Sequence, residues 1–216
     1  MSILLRSALL VCFSALSCHA FASGIVVQVH DAAGKPLGDV VLYAEPEAGA
    51  PPSKNPKPAT IEQRGLKFLP LVSVIQTGAQ ISFPNNDKVR HHIYSFSPAK
   101  KFDQKLYSGV AAAPQVFDKA GTVVLGCNIH DRMIAYVRVV DTPHFAKSGA
   151  DGVARIELPA AGNYTLKAWH FNMVAGAGAE QAVAVKAGDA PTAASFSLAV
   201  KAQLPGADSP AAGPGS

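Results

Sequence analysis

The side chains best suited to chemistry stand in one short segment, with the spacing Cys127-x-x-His130-x-x-Met133. A strand-like run ends at Gly126 and another begins at Ala135, so one tight connection carries a thiol, an imidazole and a thioether. Soft sulfur ligands stabilise Cu(I), and imidazole accepts either oxidation state of copper. Zinc usually takes cysteine, histidine and carboxylate and seldom methionine. The segment therefore predicts one bound copper ion rather than zinc.

A second imidazole has to come from elsewhere in the chain. The candidates are His91 and His92, adjacent residues at the start of a β-rich run. Side chains alternate between the two faces of a strand, so the two rings point in opposite directions. Ile93 shares a face with His91, whereas Tyr94 and Phe96 share the other with His92. Alternation therefore leaves the choice between the two histidines open.

The beginning of the chain changes the cysteine count. Residues 1–22 contain Arg6, a short apolar stretch and an A-x-A-type cleavage site, which together predict a signal peptide. Its removal takes away Cys12 and Cys18 and leaves Cys127 unpaired. A lone thiol in an oxidising compartment is a liability unless it is buried or bonded. We therefore expect an exported, soluble protein of the periplasm in which the remaining thiol binds metal.

Composition limits the class of partner. With 216 residues, 49% of them hydrophobic, the chain can form one large or two small cores. A formal net charge of +4, without a cluster of Lys and Arg, gives no reason to expect nucleic acid. No segment after the leader approaches the roughly 20 apolar residues of a membrane span. We expect neither nucleic acid nor a membrane span.

Short strand-like runs separated by turn residues fill most of the chain, and hardly any window has a 3.6-residue period. This pattern is typical of an all-β sandwich, or of two of them. Residues 46–60 contain five prolines and are predicted to form a linker. The predicted strands are residues 25–29, 40–43, 67–74, 80–83, 91–95, 122–126, 135–140, 151–158, 162–169, 181–186 and 194–200.

The two segments that carry the potential ligands resemble the cupredoxins. The spacing from Cys127 to Met133 is similar to that of amicyanin-type members and shorter than in plastocyanin-type members. Upstream, the family pattern Phe-x-Asn-x-Asp-x-x-x-His-x-Val-x-Ser is matched by Phe83, Asn85, Asp87, His91, Ile93 in place of Val, and Ser95. The resemblance covers residues 60–141 and selects His91 as the ligand. His92, which stands where many cupredoxins have Asn or Thr, stays as the alternative.

The resemblance implies a Greek-key β-sandwich with a type 1, or blue, copper site. Cys127, His91 and His130 would form a trigonal plane around one copper ion that alternates between Cu(I) and Cu(II), with Met133 as a weak axial ligand. It implies a one-electron carrier that is not an enzyme, because the ligand shell is full. By analogy, the redox partner would be a c-type cytochrome or a dehydrogenase.

Groups behind the ligands should orient the imidazoles, and Asn85 and Asn128 are the candidates. Two other functions stay open. A periplasmic copper-binding or delivery protein could hold Cu(I) in the same shell without electron transfer. A carbohydrate-binding or adhesion sandwich with an inert thiol would not hold copper at all.

The segments on either side of the metal-binding region are similar to carboxypeptidase-regulatory or transthyretin-like β-sandwiches. One lies at residues 27–43 and the other at residues 152–166. We expect a discontinuous second sandwich with the cupredoxin-like domain inserted between its halves; the alternative is two consecutive units. The predicted boundaries are a signal peptide at 1–22, a first part and linker at 23–58, the copper domain at 59–141, the second part at 142–201, and a disordered tail at 202–216.

Overall fold

A computed structural model describes residues 24–49, 55–107, 113–174, 178–188 and 190–201. The predicted signal peptide and tail lie outside this range. Within it the regular secondary structure is entirely β, which confirms the all-β prediction. Accordingly, the described residues include no helix that could cross a membrane.

Seventeen strands are present in the described residues. In chain order they are β1 (Gly24–Asp31), β2 (Val41–Pro46), β3 (Ala59–Thr60), β4 (Glu62–Gln63), β5 (Phe68–Leu69), β6 (Val72–Gln76), β7 (Ala79–Ser82), β8 (His91–Ser97), β9 (Lys100–Tyr107), β10 (Gln115–Phe117), β11 (Gly121–Cys127), β12 (Ile134–Val140), β13 (Phe145–Lys147), β14 (Val153–Glu157), β15 (Gly162–Trp169), β16 (Ala179–Val185) and β17 (Thr192–Leu198).

The central part of the chain forms a five-stranded sheet in the order β6-β12-β11-β8-β9 and a three-stranded sheet in the order β10-β7-β3, with the small hairpin β4-β5 beside them. The pairing is antiparallel except for β6 with β12 and β3 with β7. Burial alternates along β8, so that His91 is buried while His92 is partly exposed. The shared core consists of buried side chains from both sheets and the hairpin, including Phe68, Ile81, Phe83, Ile93, Phe117, Leu125, Cys127 and Met133.

The flanking segments form two further sheets, in the orders β14-β1-β17 and β13-β2-β15-β16. Strand β1 pairs antiparallel with β14 and parallel with β17, and β2 pairs antiparallel with β15. Residues from before and after the central sheets are therefore hydrogen-bonded to each other. They enclose a core of their own, which includes Ile25, Val27, Leu42, Ile156, Tyr164, Leu166 and Phe196. The division into domains at the boundaries given above stays a prediction.

A small apolar cluster joins the two pairs of sheets. It contains Tyr43 and Trp169 from the flanking sheets and Val72 and Val140 from the five-stranded sheet. Arg138 on β12 donates from Nη2 to the Tyr43 hydroxyl at 2.9 Å, and its guanidinium lies 5.6 Å from the Tyr43 ring centre. The contact is therefore both apolar and hydrogen-bonded.

Strand β9 was not predicted from the sequence. Its residues are mainly polar or charged, including Lys101, Asp103 and Lys105, and it lies at the edge of the five-stranded sheet. Edge strands often carry charged side chains that face water, so they lack the apolar alternation by which a strand is predicted. This strand matters for the site because it pairs with β8.

Candidate metal centre

Three of the predicted ligands meet at one end of the five-stranded sheet. One donor atom from each of His91, Cys127 and His130 lies within 4.8 Å of the other two. The two Nδ1 atoms are 3.1 Å apart, and Cys127 Sγ lies 3.9 Å from Nδ1 of His91 and 3.6 Å from Nδ1 of His130. All three potential donors therefore face the same point.

These distances fit a shared metal ion. Metal–nitrogen bonds of about 2.0–2.1 Å and a metal–sulfur bond of about 2.3 Å, spread around one ion, separate the donor atoms by about 3–4 Å. The three separations fall within that interval. A thiolate with two imidazoles also matches the known preference of copper for soft sulfur together with nitrogen. The residues present thus fit the predicted group in donor chemistry and in spacing.

The sheet and one short loop set this arrangement. Cys127 is the last residue of β11 and lies beside Ile93 of β8, two residues from His91. The loop from 128 to 133 is closed by a hydrogen bond from the Met133 N–H to the His130 carbonyl, at 2.9 Å. Cys127 is 4% exposed and His91 is fully buried, whereas His130 is only partly buried. One imidazole edge therefore lies nearest to solvent.

His92 occupies the other face of β8. Its Nε2 contacts the carboxylate of Asp103 on β9, and its side chain is 19% exposed. Pairing between β8 and β9 is irregular between His91 and Ile93, which locally shifts the register. Of the two adjacent histidines, His91 is the one that lies with the thiol.

Met133 lies in the same core as the thiol. It is 2% exposed and packs in the cluster that contains Cys127, Phe83 and Leu125. Its burial and its position after the loop agree with the expected axial ligand, but an ordinary core methionine would be buried as well. The role of the thioether stays a prediction.

The outer nitrogen of His91 has a well-defined partner. Nε2 lies 2.9 Å from Oδ2 of Asp87, whose carboxylate also accepts hydrogen bonds from the backbone N–H groups of Gly65 and Leu66. Partial burial on its own would raise the pKa of Asp87. The hydrogen bonds from Leu66, His91 and Gly65 outweigh it and lower the pKa below its usual value. This carboxylate is therefore ionised at neutral pH.

The two asparagines predicted to orient the imidazoles have different surroundings. Asn85 is 3% exposed; its Oδ1 accepts from the Asp87 N–H at 2.9 Å, and its Nδ2 donates to the Val89 carbonyl at 2.9 Å. It therefore shapes the loop that carries Asp87. Asn128 is exposed, and its backbone N–H donates to the His92 carbonyl at 3.1 Å. Asp87, which was matched in the sequence pattern, was not predicted as the partner of His91.

An aromatic ring covers the backbone beside the thiol. Tyr94 lies across from Gly126 on the outer face of the sheet, and a Cβ at position 126 would lie 2.7 Å from its Cζ. The ring of Tyr94 in turn lies 5.1 Å from that of Phe96, which is 76% exposed. Glycine at 126 thus allows an aromatic side chain to lie directly against the strand that carries Cys127.

No protein-family model and no curated protein matches this chain. Among solved structures, it is similar to a Cu-containing nitrite reductase from Thermus scotoductus SA-01, with 25% identity and a TM-score of 0.37 over 44% of this chain and 25% of the reductase. It is also similar to a purple cupredoxin from Nitrosopumilus maritimus, with 22% identity and a TM-score of 0.35 over 38% of this chain and 99% of that one. Amicyanin from Paracoccus versutus matches with 15% identity and a TM-score of 0.35, over 45% of this chain and 98% of amicyanin. Each of these similarities covers less than half of the chain.

Proposed function

We propose that this protein binds one copper ion through His91, Cys127 and His130, with Met133 as a weak fourth ligand, and acts as an exported one-electron carrier. The observation that carries the proposal is the convergence of an unpaired, buried thiol and two imidazoles within 4.8 Å. A structural cysteine would pack against apolar groups and would not need two ring nitrogens facing it.

The chemistry that a bound copper ion supplies is the gain and loss of one electron. The protein's own residues hold the donor atoms in place. Cys127 and His91 lie on adjacent paired strands, and His130 lies in a loop closed by its own hydrogen bond. Because these elements are held by backbone hydrogen bonds and a packed core, the ligands have little freedom to rearrange, and this favours fast electron exchange.

The same features argue against catalysis. Four protein ligands leave no open position for a substrate, and His91 and Cys127 are buried. The partly buried ring of His130 is the ligand closest to solvent and would face a redox partner. We propose that the partner is another redox protein, met after export to the periplasm.

The adjacent histidines give a matched test of the ligand set. His91→Ala should abolish stoichiometric copper binding, because it removes one of the three converging donors. His92→Ala should keep it, because that ring contacts Asp103 on the other face of β8. Copper content after dialysis measures the difference. Equal copper in both variants would contradict the ligand set.

Voltammetry then distinguishes a carrier from a delivery protein. A carrier should give a reversible one-electron wave and should exchange electrons rapidly with a small inorganic oxidant. A colourless Cu(I) form that is stable in air and passes its metal to a metal-free acceptor would instead support copper delivery and refute electron transfer.

A further inference from the structure

We propose that Asp87 is a positioning residue that fixes the tautomer and orientation of His91 before any metal binds. The proposal rests on the proposed function, since it takes His91 as a ligand. It assigns a role to a residue outside the ligand set and to the hairpin turn that holds this residue.

The contacts determine where the proton on the ring must be. Both oxygens of Asp87 already accept backbone N–H groups, Oδ1 from Gly65 and Oδ2 from Leu66, so this side chain meets His91 as an acceptor. Nε2 of His91, which lies 2.9 Å from Oδ2 of Asp87, must therefore carry the hydrogen. In the neutral ring Nδ1 then keeps its lone pair, and this is the atom that faces Cys127 Sγ and Nδ1 of His130. The carboxylate thus selects the tautomer that can bind metal through Nδ1.

The hairpin turn between β4 and β5 holds the Asp87 carboxylate in place. Gly65 donates to Oδ1 at 2.6 Å and Leu66 donates to Oδ2 at 3.0 Å. Both residues have positive φ, 62° and 57°, a conformation that leucine rarely adopts. The Leu66 side chain is 48% exposed, so its packing does not explain this backbone shape. The shape is that of a two-residue hairpin turn, closed by backbone hydrogen bonds between Arg64 and Lys67, and it aims two successive N–H groups at one carboxylate.

The substitution Asp87→Asn separates this role from simple loop structure. Asparagine has nearly the same shape, but one of its two polar atoms is a donor. If the amide nitrogen replaces Oδ2, it faces the Leu66 N–H and His91, and it favours the tautomer with hydrogen on Nδ1. If it replaces Oδ1, it faces the Gly65 N–H. Neither orientation keeps all three hydrogen bonds.

We expect Asp87→Asn to weaken copper binding about 10–100-fold, the usual effect of losing a group that orients a metal ligand. It should also raise the reduction potential, because a carboxylate hydrogen-bonded to the imidazole makes the ring a better donor to Cu(II). The matched control is Asp103→Asn, which changes the carboxylate partner of His92 instead. Its copper affinity should stay within about twofold of wild type.

The most direct test needs neither a variant nor a metal. Nitrogen-15 NMR of the metal-free wild-type protein at pH 8 should show His91 with hydrogen on Nε2 only. Hydrogen on Nδ1, or a mixture of the two forms, would overturn the proposal even if Asp87→Asn failed to fold.

Copper affinities of wild type and both variants follow from competition with a Cu(I) chelator. Asp87→Asn with wild-type affinity and an unchanged tautomer would also overturn the role of Asp87. A wild-type protein that binds no copper would refute the proposed function, while the NMR result on His91 would still stand on its own.

Discussion

Replacing Met133 tests whether its sulfur binds metal or only fills space. The side chain is 2% exposed within the core of the central sheets. Met133→Ala removes three buried heavy atoms and should cost the metal-free protein about 2–5 kcal/mol of stability. Met133→Leu nearly conserves volume and should cost less than about 1.5 kcal/mol. At about 2–4 °C per kcal/mol for a chain of this size, leucine should lower the Tm by less than about 6 °C and alanine by about 4–20 °C.

The copper-loaded forms should behave differently from the metal-free ones. Both Met133 variants lack the thioether, so both should shift the optical spectrum and raise the reduction potential in similar ways, although their stabilities differ. Thermal unfolding of the metal-free proteins and voltammetry of the loaded proteins provide the two measurements. If Met133→Leu keeps the spectrum and potential of wild type, the thioether is not a ligand and Met133 is a core residue only.

Two further predictions concern the flanking sheets. Gly152 has a φ of 73°, and a Cβ there would overlap the Val29 carbonyl oxygen. Gly152→Ala should therefore lower the free energy of unfolding in urea by more than about 2 kcal/mol. An unchanged unfolding midpoint would contradict this. Burial lowers the pKa values of His144 and His170 below the unfolded value of about 6.5. Below that pH the unfolded chain binds more protons than the folded protein, so the free energy of unfolding should fall as the pH drops. Urea unfolding of the metal-free protein at pH 7.5 and pH 5 checks the sign, and His144→Gln with His170→Gln should flatten the dependence; an equally steep loss in that double variant would show that other groups cause it.

The sequence was most informative where neighbouring residues lie on one short connection. Cys127 and His130 are separated by two residues, so almost any tight turn between strands brings them close together. The choice of His91 over His92 could not be made from periodicity, since strand alternation only places the two rings on opposite faces. The two rings differ because Asp103 on β9 contacts the outward-facing ring of His92. Strand β9 itself was not predicted, because its charged residues interrupt the apolar alternation by which strands are recognised.

The surroundings of Asp87 were harder to predict because they involve backbone groups. Nothing in the identity of Gly65 or Leu66 indicates that their N–H groups point at Asp87. That contact depends on a left-handed turn and on two loops that meet only in the folded chain. Asn85 was predicted to orient an imidazole; its side chain bonds to the Asp87 N–H and the Val89 carbonyl, and the orienting role stays a prediction.

The central claim is that the Cys127 thiolate binds copper together with two imidazoles. The most direct measurement is the optical and electron-spin-resonance spectrum of the Cu(II)-loaded protein, compared with Cys127→Ala. We predict one copper per wild-type chain with an intense thiolate-to-Cu(II) absorption band, and loss of both the band and stoichiometric copper in the variant. Equal copper content and the same spectrum in both proteins would contradict a cysteine-centred site.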